Sequence, residues 1–178
     1  IRDFETADIA IKAALTGHFV MSTLHTNDAP SSVTRLVDMG IDPFMVASSV
    51  LLILAQRLGR KLCDCKSEMS PLPTRERRLE VGYLEGDFTP EMKLWSPGNC
   101  GRCNAGYKGR FSLIESLIID SELRRMVING ASAIDLREYA VTKAGMITLR
   151  RCGLLNALRG RTSIEEILRN TIGEAESA

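Results

Sequence analysis

The sequence predicts a mixed α/β fold interrupted by a cysteine-rich, metal-binding segment. Three observations predict it. Helical and strand patterns alternate over residues 1–62, as they do in α/β folds. Four of the five cysteines fall in two close pairs within a proline-rich stretch at 63–108. Core-like sequence then resumes at Gly109 and runs through several short helical patterns to residue 172.

Asp3 is placed to cap a helix whose apolar positions Ala7, Ala10, Ile11, Ala14 and Leu15 share one face, with Gly17 as its stop. His18–Leu24 reads as a short strand, apolar enough to be buried on both faces as parallel strands are. After the polar turn at 25–28, Pro30 fits the first turn of a second helix, which buries Val33, Leu36 and Val37 and ends at Gly40. Asp42-Pro43 opens a third, longer helix with Ala47, Val50, Leu51, Leu54, Ala55 and Leu58 on one face. Residues 63–108 hold four of the six prolines and the run Arg75-Glu76-Arg77-Arg78, which reads as a solvated face. Such a segment buries little apolar surface and needs a staple to stay ordered. A strand from Arg110 to Ile119 follows. Ser132 with Asp135 and Ser163 with Glu166 have capping-box spacing, and Gly130, Gly145 and Gly160 are placed as helix stops. The tail at 173–178 is expected to fray. The chain thus divides into 1–62, an insert at 63–108, and a returning strand with a helical subdomain at 109–172.

Composition excludes several classes. The 178 residues are 44% apolar and 25% charged, as in soluble globular proteins. Lys plus Arg is 23 against 22 Asp plus Glu, whereas non-specific nucleic-acid binding needs a large basic excess. No nucleic-acid partner is expected. The most apolar stretch, Phe44–Ala55, is broken by Ser48 and Ser49 and falls short of the roughly 20 residues that a membrane span requires. No direct membrane insertion is expected. An odd cysteine count without a visible secretory signal points to a reducing, cytoplasmic setting, where paired cysteines bind metal more often than they form disulfides.

Cys63-x-Cys65 and Cys100-x-x-Cys103 supply four thiolates in two short turns, which suits tetrahedral Zn²⁺. The second pair sits in Gly98-Asn99-Cys100-Gly101-Arg102-Cys103-Asn104, whose small and turn-forming residues a metal knuckle requires. Four cysteines leave no open coordination position, so the expected role is structural. Trp95 is expected to pack over this module, and Cys152 to be a small packed thiol.

Longer motifs carry a resemblance. Ile1-Arg2-Asp3-x-Glu5-Thr6-Ala7, Ala13-Ala14-Leu15-Thr16-Gly17-His18 and Ser22-Thr23-Leu24-His25-Thr26-Asn27-Asp28-Ala29 come first. Ala55-Gln56-Arg57-Leu58, the cysteine pairs, Cys103-x-x-Gly106-Tyr107-x-Gly109-Arg110 and Gly160-x-Thr162-Ser163-x-Glu165-Glu166 follow. With these the whole chain resembles the C-terminal part of the type II secretion and type IV pilus assembly ATPases. The tetracysteine segment resembles the assembly and secretion branch. Its first pair is one residue shorter than the family's C-x-x-C.

The resemblance implies the second half of a RecA-like P-loop core over residues 1–62, working in a homohexameric ring with ATP and Mg²⁺. It implies motions transmitted to an inner-membrane platform and cytoplasmic adaptor proteins, with the protein cytoplasmic and peripheral to the inner membrane through those partners. In the family Ile-Arg-Asp follows the Gly-Glu of the Walker B motif. The chain therefore looks cut just past that Glu, and the absence of Met at its start agrees. No Gly-Lys pair occurs, so the phosphate loop G-x-x-x-x-G-K-[ST] is absent from these residues and they are expected not to hydrolyse ATP alone.

His25 lies past the expected strand, at the carboxyl end where α/β sheets bind ligands. The resemblance places it near the terminal phosphate, and puts His18 in the same box, with packing an equal alternative. Arg2 and Arg57 are catalytic candidates, because a planar guanidinium suits the charge on transferring phosphate. Arg110 is a third candidate for nucleotide or interface contact. Asn27 and Asp28 read as turn and cap residues. A cysteine hydrolase built on Cys152 finds no motif. A free-standing zinc-ribbon interaction module explains the cysteines but not the Leu-His-Thr box.

Overall fold

The computed structural model describes residues 1–171, which form a mixed α/β structure; the tail expected to fray lies outside the described residues. The helices are α1 (Phe4–Leu15), α2 (Ala29–Asp38), α3 (Pro43–Ser49), α4 (Arg75–Val81), α5 (Ser121–Ile128), α6 (Ala133–Thr142), α7 (Leu149–Leu158) and α8 (Ile164–Asn170). The strands are β1 (Leu52–Leu62), β2 (Ser67–Glu68), β3 (Trp95–Ser96) and β4 (Tyr107–Ile118). β1 pairs with β4, and β2 pairs with β3 in antiparallel register. Backbone bonds from Ile119 N–H to Leu51 O (3.0 Å) and from Cys63 N–H to Gly106 O (2.8 Å) bracket the longer pair, which is therefore antiparallel too. The chain divides into two compact units, Ile1–Ala55 with Glu115–Ile147, and Gln56–Ile114 with the residues from Thr148 onward.

In the first unit the caps are those the sequence predicts. Asp3 accepts the Thr6 N–H at 2.8 Å and Asp28 the Ser31 N–H at 2.8 Å. Ser132 and Asp135 close a reciprocal capping box at the start of α6. Gly40 ends α2 at φ +99°, a conformation that favours glycine, with its N–H on Val37 O and the Ile41 N–H on Leu36 O. Gly17 and Gly130 follow their helices at positive φ in the same way, as Gly160 does in the second unit. α3 packs against α1 and α5, and α6 against α2, around buried Ile11, Val33, Leu36, Val46, Leu117, Leu123 and Leu136.

Two expectations fail here. His18–Leu24 is not a strand, and Phe19 and Met21 are 83% and 82% exposed. Burial on both faces needs strand neighbours, and no described strand pairs with this segment. The third helix is short. It ends at Ser49, Val50 turns extended, and Leu51, Leu54, Ala55 and Leu58 belong to the segment that pairs with β4 instead of a helical face. A short apolar run fits helix and strand periods alike, and only the long-range partner decides between them. The expected strand at 110–119 is found as β4, begun three residues earlier at Tyr107.

The second unit buries Val81, Tyr83 and Leu94 from the supposedly core-poor segment 63–108. Leu113, Leu149, Leu154 and Ile167 are buried in the same unit. Arg75 and Arg77 are solvated as expected, but Arg78 is half-buried, with its guanidinium 4.6 Å from the Phe88 ring centroid. Arg151 holds Asp87 through two bonds of 2.5 and 2.8 Å. A Cβ on Gly153 would meet Ile167 at 2.6 Å, so this glycine lets α7 and α8 approach closely.

Glu166 departs from its capping-box role. Ser163 caps α8, but the Glu166 carboxylate turns to Arg60 of β1. It accepts the Arg60 backbone N–H at 2.9 Å and the guanidinium at 2.9 and 2.7 Å. Burial pushes the Glu166 carboxyl pKa up, and the Arg60 and Asn170 bonds more than offset this, holding it below the usual range. A carboxyl lowered on folding stabilises the protein above its unfolded pKa, about 4.3, and loses that contribution as pH falls through the folded value. Glu166→Ala removes the buried acceptor of the Arg60 backbone N–H and of the part-exposed Arg60 and Arg169 guanidiniums, and is expected to cost about 2 kcal/mol in denaturant titration. Glu166→Gln is expected to flatten the acid limb of stability against pH below about 4.3.

Candidate functional site

The strand pair sets the first cysteine pair. Leu62 ends β1 and Cys63 follows at once, its N–H on Gly106 O just before β4. The Lys66 N–H then returns to Cys63 O at 3.0 Å, closing the chain into a tight turn that carries Cys65 back beside Cys63. On the other side, the Cys103 N–H lies 3.3 Å from Cys100 O and makes the second turn.

The four Sγ atoms all lie within 4.8 Å of one another. Cys63 and Cys100 are 3.9 Å apart, Cys65 and Cys103 3.8 Å, and Cys100 and Cys103 3.6 Å. Sulfurs placed tetrahedrally about 2.3 Å from a central Zn²⁺ would be about 3.8 Å from one another. The donor set therefore fits zinc, and the shortened C-x-C pair supplies its full share. All five cysteines are free thiols.

Burial pushes the Cys65 thiol up to about 12, while the Arg102 backbone N–H and the Cys103 thiol draw Cys100 down to about 6. Thiols this close share protons unequally, whereas a divalent cation takes all four as thiolates.

The surrounding glycine is fixed by this geometry. A Cβ on Gly98 would lie 2.0 Å from the Cys65 carbonyl oxygen and 3.1 Å from its Sγ. Lys66 reaches over the Trp95 ring, 4.7 Å from its centroid, and donates to Gly160 O at 2.5 Å. Trp95 thus packs on the lysine beside the cysteine turn. Thr162 donates its hydroxyl to Arg60 O at 2.9 Å, and the Tyr107 and Ser163 hydroxyls meet at 2.7 Å. Gly160–Glu166 therefore grips both strands beside the cysteines.

The nucleotide candidates are placed separately. His25 is exposed in the irregular segment before α2, and Arg2 is exposed before α1. His18 is exposed too, its Nδ1 3.2 Å from Thr16 Oγ1 and 3.3 Å from Ala13 O at the end of α1. Arg57, expected at the end of a helix, stands half-buried at the centre of β1 because that segment is strand. Arg110 is exposed on β4. Asn27 lies in the turn and Asp28 is the cap of α2, as read from sequence. Cys152 is half-buried on α7, within 3.8 Å of Asn156 Nδ2.

Sequence reasoning missed the side chains that hold the start of α2. Glu115 of β4 is fully buried and accepts the Ala29 N–H at 2.8 Å. Arg137 of α6 pairs with Asp28 at 2.9 Å, both largely buried. The signal was present: Glu115 falls in phase with Phe111, Leu113 and Leu117, a charge at a core-facing strand position.

The fold and the site define a mixed α/β protein with four clustered cysteines that could hold a metal ion. Residues 1–169 match the family of Type II/IV secretion system proteins, and the chain belongs to that family. It is 49% identical over 96% of its length to the type IV pilus assembly ATPase PilB of Pseudomonas aeruginosa. It is 46% identical over 97% to the PilB of Thermus thermophilus, and 43% identical over 96% to the type II secretion system protein E of Aeromonas hydrophila. The chain spans 30%, 19% and 33% of those relatives respectively.

Elemental analysis of protein purified without chelator is expected to find about one zinc per chain, as one closed four-ligand site requires. Cys65→Ser and Cys103→Ser should lower that content alike, and Gly98→Ala should lower it through the clash with the Cys65 carbonyl. Four reactive thiols with no metal in freshly prepared protein would contradict the assignment.

Proposed function

We propose that the chain serves as part of a homohexameric motor ATPase that powers pilus or pseudopilus assembly or protein secretion. The observation that supports this most directly is the match over residues 1–169, with relatives that carry the names of both machines. In this reading residues 1–62 belong to a RecA-like nucleotidase core, residues 63–108 form the zinc module, and residues 109–172 close the structure as a strand and helical subdomain. The motor acts at the cytoplasmic face of the inner membrane, through a membrane platform and adaptor proteins. Among the described residues, no helix is long and apolar enough to cross a membrane.

His25 donates a hydrogen bond to the terminal phosphate of ATP and reports whether that phosphate is present. Its exposed position in the irregular segment ahead of α2, free to meet a ligand, supports the role. Arg2 and Arg57 supply guanidinium charge to the phosphates, and Arg110 and His18 contact nucleotide or a neighbouring subunit. Mg²⁺ and the phosphate loop belong to other parts of the motor. Cys63, Cys65, Cys100 and Cys103 hold zinc, which supplies a structural cross-link and no chemistry. A cross-linked module of this kind can carry force without unfolding, and its exposed knuckle is the contact for the assembly partners.

Three measurements test this. The 178-residue polypeptide alone is expected to show no ATPase above background, and robust turnover would defeat the assignment of hydrolysis to other segments. In the full-length protein, His25→Ala is expected to lower kcat for ATP about tenfold or more through loss of a phosphate contact. Joint replacement of Cys100 and Cys103 by Ser is expected to abolish bound zinc and filament assembly together.

A further inference from the structure

A buried carboxylate is costly to fold, and Glu115 is 0% exposed in the core of the first unit. The start of α2 shows what it does. The first N–H groups of a helix have no partner inside the helix. In α2 these belong to Ala29, Pro30 and Ser31. Pro30 has no N–H, and Ser31 donates to Asp28 Oδ1 at 2.8 Å. That leaves Ala29, whose N–H is taken by Glu115 Oε1 at 2.8 Å from a strand 86 residues away in sequence. The second oxygen of Asp28 is taken by Arg137 at 2.9 Å. Thr26 is tied to the same turn, its hydroxyl 2.6 Å from that of Ser32. Ser32 in turn lies 3.2 Å from Asp28 O.

Thr26, Asp28, Ala29, Ser31 and Ser32 are thus each bonded within the turn or to an outside element. His25 directly precedes this stretch, and it is exposed. The anchored turn ends where the exposed imidazole begins. An ordinary surface helix is capped by its own N-cap residue, and α2 already has Asp28. The additional buried carboxylate fixes the position of the turn relative to β4, which a local cap cannot do.

We infer that Glu115 is a positioning residue for His25, acting through the Ala29 N–H and the anchored turn between them. It touches no substrate. It sets where the His25 imidazole stands when nucleotide arrives, so its effect falls on turnover more than on binding. A displacement of about 1 Å at a catalytic group costs up to a hundredfold in rate. This inference rests on the proposed phosphate contact of His25.

The test uses the full-length protein and the variants Glu115→Ala, Glu115→Gln, His25→Ala and the double variant Glu115→Ala with His25→Ala. Hydrogen exchange read by mass spectrometry addresses position directly. Glu115→Ala is expected to speed exchange in residues 23–32 and leave α1 protected, while Glu115→Gln, whose amide oxygen still accepts the Ala29 N–H, keeps the wild-type pattern. Kinetics address function: Glu115→Ala is expected to lower kcat about tenfold with KM for ATP little changed, and the double variant to be no slower than His25→Ala alone.

Unchanged exchange at 23–32 in Glu115→Ala would overturn the inference, as would loss spread over α1 and α5. A further tenfold loss on adding Glu115→Ala to His25→Ala would also overturn it, because the two residues would then act independently. Wild-type kcat in His25→Ala would instead remove the phosphate contact, and with it any role of Glu115 in turnover. The exchange result would still decide whether Glu115 fixes the turn.

Discussion

The pairing of β1 with β4 is the constraint on which the rest of the structure depends. Its far end brings the Cys63 N–H to Gly106 O at 2.8 Å, so the two halves of the cysteine set meet although 34 residues separate Cys65 from Cys100. Ladder bonds are individually modest, about 1 kcal/mol net, but here they fix the end points of a long loop. A metal held by these cysteines would close a loop whose ends are already together, the entropy of loop closure having been met by the strands. Glu115 depends on the same pairing, because it stands on β4 at the position whose side chain reaches α2.

The sequence disclosed what is local. Asp3, Asp28, Ser132 and Ser163 are caps because a short oxygen acceptor at that position meets N–H groups within three residues. Gly40 and Gly160 are stops because the backbone there needs positive φ. The cysteine set was legible from spacing, but the share of the short first pair was not, because it depends on the turn that the bond from Lys66 N–H to Cys63 O closes. Non-local features were not legible. Leu51–Leu58 fits a helical face as well as a strand, and only β4 resolves it. His18–Leu24 has strand composition, yet composition cannot supply a neighbour. Arg57 moved from helix end to strand centre with the segment that carries it.

The candidate site divides along the same line. The four clustered cysteines can be named from spacing alone, because cysteine chemistry is rare enough that pairing implies purpose. The residues around His25 cannot be so named, because their value lies in partners far along the chain. Glu115 is 86 residues from Ala29 and Arg137 lies on another helix from Asp28. One trace is available. Alternation in Phe111, Ser112, Leu113, Ile114, Glu115, Ser116 and Leu117 sends a carboxylate inward, and an inward charge on an amphipathic strand asks for a partner.

Three buried or nearly buried carboxylates show how the two units use charge. Asp87 and Glu166 each face an arginine, Arg151 and Arg60, and both sit below the ordinary carboxyl range because those arginines stabilise the ionised form. Glu115 also holds a backbone N–H at the positive end of a helix. That bond has a physical consequence. A backbone N–H cannot move without moving its helix, so the Glu115 bond converts the position of a strand into the position of a turn. Such rigidity goes beyond satisfying the buried Ala29 N–H, which any well-placed acceptor could do. It is of use where an exposed side chain ahead of the helix must stand at one place, the part proposed above for His25.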